Sequence, residues 1–91
     1  MRIDERFILR KIAGEYMVVP TGEKAGNCNG LILLNASGAF LWDCLQEECT
    51  LEELAGQMRE EYEVSEEIVR RDLEQFLKKM KTIGCLEDTD A

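Results

Sequence analysis

The hydrophobic period of the chain changes at residue 35. Residues 31–34, "LILL", are apolar without a break. Past Asn35 the apolar positions Phe40, Leu41, Trp42 and Leu45 fall at helical spacing. Asn is a strong helix N-cap because its side-chain oxygen accepts from an orphan backbone N–H of the first turn. The junction therefore predicts a buried strand that stops at Leu34 and a helix over 36–45, with Trp42 as a core anchor. Before it the pattern is extended. Phe7, Ile8, Leu9 and Ile12 mark a strand over 7–12, Ala13-Gly14 is a turn signal, and "EYMVV" (15–19) is a second, aromatic and β-branched strand. Pro20 ends it, having no N–H for a sheet ladder.

After the junction the pattern is helical. Thr50 with Glu53 three residues on forms a capping box, and Leu51, Leu54, Ala55, Met58 and Tyr62 then lie on one helical face. Ser65 opens a third helix, where Glu66 and Glu67 suit the positive end of the helix dipole. Its apolar stripe is Val69, Leu73, Phe76, Leu77, Met80 and Ile83. Gly84 stands where a C-cap glycine belongs, and Leu86 returns to the core. The predicted fold class is α+β: a three-stranded antiparallel sheet followed by three helices, winged helix-turn-helix-like. The 91 residues make one domain, 1–91, with strands in 7–35 and helices in 36–86. Residues 21–30, "TGEKAGNCNG", read as a loop that matches neither a Walker sequence nor G-x-G-x-x-G.

Charge narrows the function classes. The net charge is −8, and residues 47–67 hold nine Glu against one basic residue, Arg59. Such a surface repels nucleic-acid phosphates. A DNA-binding regulator, with Arg70, Arg71, Lys78 and Lys79 of the third helix reaching phosphate, is the alternative reading, and Asp72 and Glu74 on that helix oppose it. No apolar run reaches the length of a membrane span, and "MRIDERF" lacks the apolar region of a secretory signal, so the expected compartment is the cytoplasm.

Catalytic chemistry finds no footing. The chain has no histidine, the commonest general base. Ser37 and Ser65 sit at helix starts, where capping explains them. The four cysteines, Cys28, Cys44, Cys49 and Cys85, have no C-x-x-C spacing, so no metal site and no cofactor is expected. Cys44 and Cys85 read as small core residues and Cys28 as a loop thiol, while Glu47 and Glu48 disfavour a Cys49 thiolate. The chain reads as a non-enzyme, and what remains is binding. In a three-stranded sheet an outer edge stays unpaired unless covered, and "LILL" carries none of the charge or proline that blunts edges. As an edge, it would make with the long third helix a groove for an extended peptide added as a further strand. As a central strand, it would leave the edges to its neighbours. Exposed edges also invite a homodimer through strand pairing or swapping.

The segments "LILLNASGAFLWDCL", "TLEELAGQMREEYEVS" and "VRRDLEQFLKKMKTIGCLE" together resemble the PqqD family, named for pyrroloquinoline quinone synthesis protein D. The likeness runs over about residues 16–86. It implies a fold similar to a winged helix and a role as recognition element for ribosomally made, post-translationally modified peptides. Such a domain binds the leader segment of a precursor peptide and presents it to a modifying enzyme, often a radical SAM enzyme. The resemblance points to Leu31, Ile32, Leu33 and Leu34 for backbone pairing. On the third helix it points to Val69, Asp72, Leu73 and Phe76 as the wall, with Arg70 and Arg71 near the rim. Many members have a tight turn where this chain has the Gly/Asn loop.

Overall fold

Two left-handed residues fold the first hairpin. Ala13 (φ 53°) and Gly14 (φ 81°) form the two-residue connection between β2 (Phe7–Ile12) and β3 (Glu15–Pro20), in the twist that right-handed strands favour. The register runs from Ile12↔Glu15 to Phe7↔Pro20, so Pro20 is the last paired residue of its strand. The computed structural model describes residues 1–22 and 32–87. β4 (Ile32–Leu34) pairs antiparallel with β3 through Tyr16↔Leu34, Met17↔Leu33 and Val18↔Ile32, giving the order β2-β3-β4. β3 is central and β4 is an edge.

The helices follow the caps in the sequence. α1 (Ala36–Cys44) is capped by Asn35, α2 (Leu51–Glu61) by the Thr50–Glu53 capping box, and α3 (Glu66–Ile83) by Ser65 at its start and left-handed Gly84 (φ 85°) at its end. Between sheet and helices lies one core. Phe7, Val18 and Leu34 come from the strands, Leu41, Trp42 and Leu45 from the α1 segment, Leu54 and Met58 from α2, and Val69, Leu73, Phe76 and Met80 from α3. Trp42 is the anchor expected of it, at 2% exposure.

Four features depart from the sequence pattern. A second, two-stranded sheet joins β1 (Arg2–Ile3) to β5 (Leu86–Glu87), two residues each. Periodicity cannot reveal such short strands, because their pairing spans the whole chain. The sheet ties the N-terminal segment down, with Ile3 N donating to Leu45 O and Asp4 N to Cys85 O. The buried Asp4 carboxylate accepts from Arg6 N (2.9 Å), Nε (3.0 Å) and Nη2 (2.6 Å), a charge-assisted clamp on the turn into β2. Second, Leu51, placed by spacing on the buried face of α2, is 53% exposed, as the first residue of the helix at the end of its apolar stripe, whereas Leu54 is fully buried. Third, Cys44 is half-buried while Cys49 and Cys85 are core; Cys28 lies outside the described residues. Fourth, α1 ends at Cys44, one residue early.

Candidate functional site

The edge strand and the cap after it build the site. Side chains alternate along β4. Leu34 and half-buried Ile32 face the helices, whereas Leu33 stands on the opposite face at 51% exposure. The sequence run looked apolar on both sides, and only the sheet separates the two. β3 occupies one edge of β4, and among the described residues no strand occupies the other.

Asn35 turns the chain sharply into α1. Its Oδ1 accepts from Gly38 N at 2.8 Å and from the Ser37 hydroxyl at 3.0 Å. The turn is tight enough that a Cβ on Gly38 would stand 3.3 Å from Leu34 Cβ and 3.2 Å from Asn35 Oδ1. Glycine thus lets the first turn of α1 close on the end of the strand and leaves the space beyond it open.

That space is a groove of about 610 Å³ between the β4–α1 junction and α3. Leu33, Leu34, Asn35, Ser37, Gly38 and Leu41 line one side; Asp72, Gln75, Phe76 and Lys79 line the other. Buried Leu34, Leu41 and Phe76 supply an apolar floor. Half-buried Asp72 and exposed Gln75 and Lys79 form a polar wall. Asp72 and Lys79 are two helical turns apart, about 10 Å along the axis, so the wall carries opposite charges at its two ends.

The residues picked out from the sequence divide. Leu33, Leu34, Asp72 and Phe76 meet in this groove, and Ile32 lies beside it on the inner face of β4. Leu31 lies outside the described residues. Val69 and Leu73 are core residues, 1% and 3% exposed. With Arg70 they border a second groove of about 590 Å³ on the other flank of α3, against Leu51, Glu52, Ala55 and Arg59 of α2. Arg71 is exposed and lines neither groove. Sequence reasoning picked Asp72 and otherwise followed the apolar stripe of α3, which faces the core, and so passed over Gln75 and Lys79. The groove wall is the adjacent face, Asp72, Gln75 and Lys79, whose i, i+3, i+7 spacing was legible but polar. Which flank of the stripe meets β4 depends on how α3 packs, and spacing does not carry that.

Burial, followed for Cys44 by the neighbouring Cys49 and Asp43 and for Cys49 by Glu53, pushes both thiols up from their ordinary value and disfavours their thiolates. Among the described residues no group of three or more His, Cys, Asp or Glu could hold a metal ion. None of the described helices is long and apolar enough to cross a membrane. An unpaired strand edge beside a helix-walled groove with an apolar floor is suited to receiving an extended chain.

Comparison with known proteins gives a family and a structural relative. The sequence model of the coenzyme PQQ synthesis protein D (PqqD) family matches residues 15–86, which include β3, β4, the three helices and both walls of the groove. No curated protein matches. Among solved structures, TbiB1 in complex with the TbiA(beta) leader peptide is similar over 100% of both chains, with a TM-score of 0.75 and 25% sequence identity.

Proposed function

This chain belongs to the PqqD family, and from that premise we propose that it binds the leader segment of a ribosomally made precursor peptide by strand addition and presents it to a modifying enzyme. The observation that carries the reading is the open edge of β4 beside the Leu34–Leu41–Phe76 floor. Support comes from TbiB1, which shares the architecture and is solved with a leader peptide. The guest adds to β4 as the next strand. Main-chain hydrogen bonds to the free edge supply sequence-independent affinity, and alternate guest side chains supply selectivity. Those on the Leu34 side enter the groove, while those on the Leu33 side stay outside.

Residues two apart on a strand are about 6.6–6.8 Å apart on one face. A guest with an apolar side chain over Phe76 therefore brings its same-face neighbours toward the two ends of the polar wall. Asp72 favours a basic neighbour and Lys79 an acidic one. The peptide pays an ordering cost on binding, which a preformed edge and groove partly offset. The chain supplies recognition, and the covalent chemistry belongs to the partner, a radical SAM enzyme or another peptide-modifying enzyme. The DNA-binding alternative is not favoured by the family assignment or by the acidic surface.

The test is calorimetric titration of the full chain with a synthetic leader peptide from the precursor encoded beside it. The expected result is one-to-one binding in the micromolar range or tighter, with amide shifts in residues 32–38 and 72–79. Absence of binding at about 500 μM peptide, a free energy weaker than about −4.5 kcal/mol, overturns the reading.

A further inference from the structure

The three-stranded sheet has a second face, and it is apolar. The alternates that pack on the core are Phe7, Leu9, Tyr16, Val18, Ile32 and Leu34. By strand alternation the other face carries Ile8, Ile12, Met17, Val19 and Leu33. Ile12 and Leu33 are 49% and 51% exposed, Ile8, Met17 and Val19 are half-buried, and none of the five belongs to the core cluster. An open antiparallel sheet ordinarily presents polar residues to water, so a contiguous apolar patch on it marks a contact surface.

The two charges on this face say what covers it. Arg10 lies opposite Met17 on β2, and Glu15 lies opposite Ile12 on β3. Neither has an ion-pair partner among the described residues. Seen from Met17, Arg10 is one strand spacing away, about 4.8 Å, and Glu15 is one same-face step along β3, about 6.8 Å, at a right angle to it. Consider a twofold axis lying in the plane of the face and bisecting that angle. It sets Met17 on Met17 of a second copy and Ile12 on Ile12, lays Leu33 over Val19, and brings Arg10 to Glu15 twice. The strands of the two sheets then cross at near 90°, one of the two standard ways that sheets stack. The face is complementary to itself in shape class and in charge, as an isologous contact requires.

We propose that the outer face of the β2-β3-β4 sheet binds a second copy of this chain by orthogonal sheet packing, with reciprocal Arg10–Glu15 pairs. The contact leaves the free edge of β4 unpaired, and of its seven residues only Leu33 also lines the leader groove. With seven side chains per copy, against the roughly 20–30 residues per side of a standard interface, the dimer is weak, with Kd of about 10–500 μM.

Sedimentation equilibrium of the full chain from about 5 to 1,000 μM tests this. The expected result is a mass rising from the 10.4 kDa monomer toward twice that value with concentration. Arg10→Glu and Glu15→Arg should each weaken association about tenfold by setting like charges face to face, and the double reversal should restore it. Far-UV circular dichroism checks that each variant is folded. A monomer throughout the range, or a dimer unmoved by either single reversal, overturns the proposal. So does a pair of reversals that weaken additively without rescue.

Discussion

Removing the Asn35 cap tests whether the strand-to-helix junction is held as described. In Asn35→Ala the Gly38 N–H loses its 2.8 Å acceptor and the Ser37 hydroxyl its 3.0 Å partner. The first turn of α1 contains no acidic residue to take over. Asn35 is itself exposed, so water replaces part of what is lost, and the cost is that of an ordinary N-cap, about 1 kcal/mol within a range of about 0.5–2. For a domain of this size, that lowers the melting temperature by roughly 4–8 °C. Asn35→Asp keeps the acceptor and places a negative charge at the helix N-terminus, so it should match or exceed the wild type by up to about 1 kcal/mol. Asn35→Gly should cost only a few tenths. Urea unfolding followed by circular dichroism gives the ranking, with an unchanged m-value showing that the same surface unfolds. An alanine variant within about 0.3 kcal/mol of the wild type, or an aspartate variant less stable than alanine, refutes the capping account.

Three further outcomes follow from the same geometry. Ala13 holds a left-handed φ of 53° in the first hairpin, so Ala13→Asn, which makes the favoured Asn-Gly pair, should raise stability by about 0.5–1 kcal/mol in thermal unfolding. In leader titration, Lys79→Glu should weaken a guest with an acidic residue beside its anchor about tenfold, and strengthen the variant guest whose residue is basic; equal loss for both guests speaks against charge reading by the wall. The folded pKa values of the Cys44 and Cys49 thiols are raised above the ordinary 9.0, so protonated thiols stabilise the fold fully below pH 9, and that contribution is lost as pH rises through the folded values. Iodoacetamide labelling of Cys44 and Cys49, read site by site by peptide mass spectrometry, should accordingly be slower in the folded chain than in the urea-unfolded chain at pH 7.5, and the gap should persist at pH 9.

What the sequence by itself determined is the part of this protein governed by local chemistry. Asn35, Thr50 with Glu53, Ser65 and Gly84 bound the helices because each satisfies backbone groups within four residues of itself, and a capping signal survives any tertiary arrangement. The first hairpin and the core stripe of α3 were legible for the same reason, as was the family through the order of these elements. The tertiary structure alone decided that β4 is an edge, that Leu33 and not Leu34 looks outward, and that Gln75 and Lys79 join Asp72 and Phe76 along the groove while Val69 and Leu73 border the other flank of α3. It alone joined Arg2–Ile3 to Leu86–Glu87. Each of these is a relation between segments far apart in the chain. A short apolar strand has the same composition whether one face or both are covered, and only the packing around it distinguishes a core residue from a docking surface.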